Sequence, residues 1–107
     1  MAAIRAYTTI EQSRKLAKIL PIESADMYYE WPNKKIHFKD DKYNGMGGSC
    51  WSLAALLSVL PNYQLQTQDD GIGILCSCNR NFNIVTADNP VDACVAMIEK
   101  LHELKML

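Results

Sequence analysis

CWSLAALLSVL, the run from Cys50 to Leu60, carries apolar residues on nearly every side of a helix. A helix without a polar face belongs inside, packed on both sides. The segment therefore predicts a central buried helix, stopped by Pro61, and the rest of the chain must fold around it. With 107 residues the sequence has material for one core and not two. Residues 1–107 are expected to form a single domain. Hydrophobic residues make up 49% and charged ones 21%, a balance that can bury a core and that separates the chain from disordered sequences.

The flanking segments fill in the remaining elements. Thr8 and Glu11, three apart, read as a capping box opening a helix whose apolar side is Ile10, Leu16, Ala17 and Leu20. Pro21 ends it. Ala25 to Trp31 alternates Met27, Tyr29 and Trp31 against Tyr28 and Glu30, as a strand does. A second short strand follows from Lys35 to Lys39, then a glycine-rich loop from Asp40 to Gly48. After the central helix come three strands at hairpin spacing, Tyr63–Gln68, Ile72–Cys78 and Phe82–Ala87, turned by Asp69-Asp70-Gly71 and Asn79-Arg80-Asn81. The last helix has the clearest start, with Asn89 at the N-cap, Pro90 at the first helical position and Asp92 in the first turn. The predicted order is αββ–αβββα. It describes an α+β domain with three helices on one antiparallel sheet of about five strands.

Composition excludes several function classes. A net charge of −1 argues against a general nucleic-acid binder. No apolar run approaches the roughly 20 residues that span a bilayer. The N-terminal residues turn polar too early for a signal peptide, so a cytoplasmic protein with reduced thiols is expected. The spacing of Cys76 and Cys78 suits tetrahedral zinc poorly. No metal or other cofactor is expected.

The residues NGMGGSCWSLAAL, Asn44 to Leu56, resemble the nucleophile segment of papain-like cysteine proteases. The resemblance implies Cys50 as a nucleophile at a helix N-terminus, where the dipole lowers a thiol pKa, with Asn44 in the oxyanion position. A thiolate nucleophile also needs a positioned base. The three strands after the helix contain no histidine, which leaves His37, upstream on a short strand, and His102 in the final helix, and His37 is the better placed of the two. The same residues have a simpler account: glycines for a tight turn, Ser49 as the helix cap, and Cys50 and Trp51 as core fillers. A non-enzymatic protein is the expectation, and a Cys50 hydrolase or thiol enzyme its rival. A third reading comes from layout. Helix, three strands and helix from Cys50 onward is similar to the order of double-stranded-RNA-binding domains, yet the last helix opens Asn89-Pro90-Val91-Asp92 where those domains place lysines. A degenerate nucleic-acid-binding domain is the further alternative, and nucleic acid is not the expected partner.

The segments YTTIEQSRKLAKILPIESADMYY, CWSLAALLSVLP and NPVDACVAMIEKLHELKML resemble a set of small uncharacterised proteins of gut Bacteroidetes and their phages or mobile elements. The resemblance implies a setting, a cytosolic accessory protein of phage or mobile-element origin, and no activity. Aromatic and thioether side chains gather in Met27, Tyr28, Tyr29, Trp31, Tyr43 and Met46. Such residues are enriched at interfaces. They form the expected binding surface for a protein partner or a second copy of the chain.

Overall fold

A computed structural model describes residues 6–30, 35–39, 48–67, 74–78 and 83–106. In chain order the elements are helix α1 (Ile10–Leu16), a single 3₁₀ turn (Ile22–Ser24), strands β1 (Met27–Tyr29), β2 (Ile36–Phe38) and β3 (Gly48–Cys50), helix α2 (Leu53–Val59), strands β4 (Gln64–Thr67), β5 (Ile74–Cys78) and β6 (Asn83–Ala87), and helix α3 (Pro90–Glu103). The class is α+β, as predicted. The single sheet of about five strands is not what forms. Two three-stranded antiparallel sheets take its place, ordered β2-β1-β3 and β4-β5-β6.

The extra strand is the main departure, and it rewrites the segment around Cys50. Met27 pairs with Cys50 and Tyr29 with Gly48 across β1 and β3. The chain just before β1's sequence neighbour α1 then holds the next residues extended. Thr8 N donates to Trp51 O at 3.0 Å and Leu53 N to Ala6 O at 3.1 Å. Helix formation is thereby delayed to Leu53. Ser52, not Ser49, is the N-cap, its Oγ accepting from Ala55 N at 3.2 Å. Asp26 accepts from both Ser52 N, at 2.9 Å, and Ser52 Oγ, which ties the start of β1 to the start of α2.

The expected central buried helix is also corrected. In α2 only Ala55 and Leu56 are buried, and Ala54 and Ser58 face outward. Small residues cost little when exposed, so an apolar helix with an Ala/Ser side can lie at the surface. The buried helix is α3, with Val91, Ala93, Cys94, Val95, Met97, Ile98 and Leu101 all inside. It packs on β5 and β6 and touches α2 and α1. Its cap is the predicted one: Asn89 Oδ1 accepts from Asp92 N at 2.9 Å. Asp92 in turn accepts from Gln12 Nε2 at 2.7 Å, which joins the two helix starts.

At α1 the cap shifts by one residue. Thr9 Oγ1 accepts from Gln12 N at 3.1 Å while Gln12 Oε1 accepts from Thr9 N at 3.0 Å. The sequence Thr8-Thr9-Ile10-Glu11-Gln12 satisfies the capping-box pattern in two frames, and tertiary demand on Thr8 selects the second. Past Leu16 the helix tightens, with Lys18 N bonded to Lys15 O and Ile19 N to Leu16 O. Ala17, expected on the apolar side, is exposed.

Two core clusters result. The larger gathers Leu16, Leu20, Trp51, Leu56, Cys76 and the inner side of α3. The smaller lies on the first sheet and consists of Met27, Tyr29 and Cys50, with Ile10 and Ile36 against them. Helix α1 contributes to both.

Candidate functional site

Strand register decides what can meet what. Residues directly opposite in an antiparallel pair place their side chains on the same face, and neighbours along a strand alternate. Tyr28, His37 and Ser49 stand in one row, and Met27, Phe38 and Cys50 in the next. His37 and Cys50 are therefore on opposite faces of the sheet. His37 stacks on Tyr28, ring centroids 5.4 Å apart, and its Nε2 lies 2.6 Å from Glu30 Oε2. It is an outer-face residue, not a partner for the thiol. Asn44 lies outside the described residues. The placement of Cys50 at a helix N-terminus is corrected as well. It ends a strand, two residues before the cap of α2.

What surrounds Cys50 instead is a buried polar knot centred on Thr8. Thr8 Oγ1 accepts from Trp51 N at 3.1 Å and lies 2.8 Å from Ser13 Oγ. Ser13 has one hydroxyl proton and donates it to Thr9 O at 2.7 Å, so Thr8 supplies the proton in the Thr8–Ser13 bond. The Thr8 carbonyl accepts from Tyr29 Oη and, at 3.5 Å, from Cys50 Sγ. Thr8 Oγ1 is also 3.5 Å from that sulfur. Burial, and secondarily the adjacent Cys50, raise the Tyr29 pKa above the ordinary phenol value. The phenol thus stays protonated and keeps donating to Thr8. Every buried polar side-chain atom among the described residues has a partner.

This knot has a mechanical role. It fastens the segment before α1 to β1 and β3, closing the first sheet over α1. It also holds Cys50 with no exposed surface. Native Cys50 is expected to resist iodoacetamide at pH 7, reacting only as fast as the protein unfolds; mapping a rapidly modified Cys50 in folded protein would show that the knot opens. Cys76 and Cys94 are likewise buried thiols in the larger core. No group of His, Cys, Asp and Glu able to hold a metal occurs among the described residues.

Beside the knot, between α1 and the first sheet, is a cleft of about 250 Å³ lined by Ile10, Ser13, Arg14, Ala17, Ile22, Tyr29, Gly48 and Ser49. Its floor is the buried pair Ser13 and Tyr29, and its lip is exposed Arg14, Ala17 and Ile22. Sequence reasoning did not find this cleft. Gly48 and Ser49 were read as a turn and a cap, and nothing in a helix pattern tells that Ser13 faces a strand tyrosine.

The expected binding surface is divided by the same register. Met27 and Tyr29 belong to the inner face and are buried, so they leave the accessible set. Tyr28 keeps a half-buried place on the outer face. Trp31, Tyr43 and Met46 lie outside the described residues. A residue missing from the expected set is the most exposed large apolar side chain described, Phe38 on β2, at 66%. Its signal in the sequence was weak, a lone phenylalanine between His37 and Lys39.

No helix among the described residues is long and apolar enough to cross a membrane. Compared with protein-family models, with curated proteins and with solved structures, the chain matches none of them.

Proposed function

We propose that the chain is a non-enzymatic protein-binding module whose contact surface is centred on strand β2. The observation that carries this reading is the exposure of Phe38. A phenylalanine two-thirds open to water on a strand is costly to solubility, and it stands where α1, which packs over β3 at the other edge, gives no cover. Lys35 and Lys39 flank it in sequence. Both lysines alternate with Phe38 and so belong to the opposite face of β2, and two copies pairing edge to edge along that strand would set them side by side. A different protein, offering an apolar anchor between acidic residues, is the complementary partner. Lysines on an edge strand also discourage direct strand addition, so the contact runs through side chains on the sheet face. The setting implied by the resemblance to phage and mobile-element proteins of Bacteroidetes, a cytoplasmic accessory protein, suits a module that works by contact alone and needs no cofactor.

Selection of random twelve-residue peptides on the purified protein tests the reading. Enriched peptides are expected to pair an aromatic or branched aliphatic residue with Asp or Glu. Phe38→Ala is expected to weaken their binding at least about tenfold, the scale of an interface hot spot, with no loss of thermal stability. Enrichment that survives Phe38→Ala would place the surface elsewhere. Light scattering that finds a dimer, dissolved by Phe38→Lys, would replace the heterologous partner by a second copy.

A further inference from the structure

We infer that the cleft between α1 and the first sheet is a binding site for a small amphipathic monocarboxylate, held with its apolar part inward and its carboxylate at the lip. The site is distinct from the Phe38 surface and stands or falls separately from it.

The interior of the cleft asks for apolar atoms. Its two polar floor residues have committed their only protons to the protein and have none to offer a ligand: Tyr29 Oη donates to the Thr8 carbonyl, and Ser13 Oγ donates to Thr9 O while accepting from Thr8. What they present inward is ring and methylene. Ile10, Ile22 and Ala17 complete an apolar wall. A cleft with such walls gains by trading water for hydrocarbon. Its volume, about 250 Å³, exceeds the roughly 150 Å³ of an engineered cavity that takes benzene. An aryl group with a short side arm, or a chain of six to eight carbons, is the matching size.

The lip supplies the sign. Arg14 lines the cleft from α1, is exposed, and forms no ion pair among the described residues. On the strand side Lys39 Nζ donates to Ser49 Oγ at 3.4 Å and to Ile22 O at 3.3 Å, both residues of the cleft wall. Ser49 stands in the outer-face row with Tyr28 and His37, so Lys39 is held along the far side of the strand and Arg14 is the cation at the opening. A guanidinium presents a planar fork that matches a carboxylate. A neutral ligand would leave that fork unused, and a cationic one would be repelled.

Gly48 provides the means to close the site without disturbing the knot. It pairs with Tyr29 across the sheet, so a side chain there would point to the same face as the Tyr29 ring. A Cβ placed on Gly48 meets no atom within 4 Å. The space it would enter is the cleft itself.

The test is a titration of the full chain, followed by amide chemical shifts, with octanoate and phenylacetate as probes and octanol and octylamine as controls. Octanoate or phenylacetate is expected to bind with Kd on the order of 0.1–1 mM, the range for a ligand of about ten heavy atoms. Which of the two binds tighter distinguishes an aliphatic from an aromatic natural ligand. Shifts should centre on Ile10, Arg14, Ala17 and Tyr29. Gly48→Leu is expected to weaken binding by more than about tenfold at unchanged Tm. Ala17→Phe, which crowds the lip from the exposed side, should do the same and serves if the strand substitution unfolds the protein. Arg14→Gln is expected to weaken the carboxylates about fivefold and leave octanol unaffected, the scale of one charge-assisted bond at a partly exposed site. Failure of both carboxylates to shift any of these amides, octylamine binding as well as octanoate, or full binding by a folded Gly48→Leu or Ala17→Phe chain would each overturn the assignment.

Discussion

Replacing Trp51 by alanine is expected to lower the unfolding free energy by about 3–5 kcal/mol, the range for truncating a buried tryptophan. The indole is wholly buried in the larger core, at the junction where Leu16, Leu20 and Ala25 meet α2 and α3. Its Nε1 donates to Ser24 Oγ at 2.9 Å, fastening the 3₁₀ turn. Its backbone does further service, accepting from Thr8 N and donating to Thr8 Oγ1, but alanine keeps those bonds. The loss is therefore cavity plus one hydrogen bond. For a domain of this size total stability is about 5–15 kcal/mol, so the variant is expected to sit near the limit of folding at 37 °C. In urea, with a slope of about 1–2 kcal/mol per molar, the midpoint should fall by about 1.5 M or more. A fall below about 0.5 M would mean that Trp51 is not the keystone between the two halves of the chain.

Thr8→Val should cost about 2–3 kcal/mol despite conserving volume. Valine has the shape of threonine, so the substitution leaves no cavity and isolates the hydroxyl. The Trp51 amide loses its acceptor in a site without water access, and Ser13 Oγ loses a donor. An orphaned buried donor costs about 1–3 kcal/mol, more than the bond itself contributes. Ser13→Ala is the informative comparison. It removes only a bond back to Thr9 O within the same helix and one acceptor for Thr8, so less than about 1 kcal/mol is expected. Calorimetric or chemical denaturation of the pair checks this order. Equal losses would locate the strength of the knot in the Thr8–Ser13 bond and not in the link to β3.

The Thr8 case shows how far local pattern carried. In the Thr8–Gln12 segment a helix start was legible, but two capping frames were equally good. The choice between them came from Trp51, the residue after β3, whose amide claims the Thr8 hydroxyl from 43 positions away. The same contact delayed α2. From Gly48 to Ser52 the sequence carries one glycine, two serines, a cysteine and a tryptophan, a mixture that declares neither a strand nor a helix start by itself. Pairing with β1 and the bridge from Tyr7 to Ser52 decided for the strand. The protease-like run was thus a correct reading of residue types and a wrong reading of the element that holds them.

Three helices, the α+β class, the three antiparallel strands after α2 and the Asn89-Pro90 start of α3 were all legible locally, in periodicity and in capping groups that act within a few positions, while the turns expected at Asp69-Asp70-Gly71 and Asn79-Arg80-Asn81 lie outside the described residues. The division into two sheets, the face on which Cys50, His37 and Tyr29 lie, the exposure of Phe38 and the cleft beside Gly48 were decided only by tertiary structure. The physical reason is strand pairing. A three-residue strand such as Gly48–Cys50 has too little local preference to declare itself, and its identity, register and facing exist only once a partner strand distant in the chain supplies the hydrogen bonds.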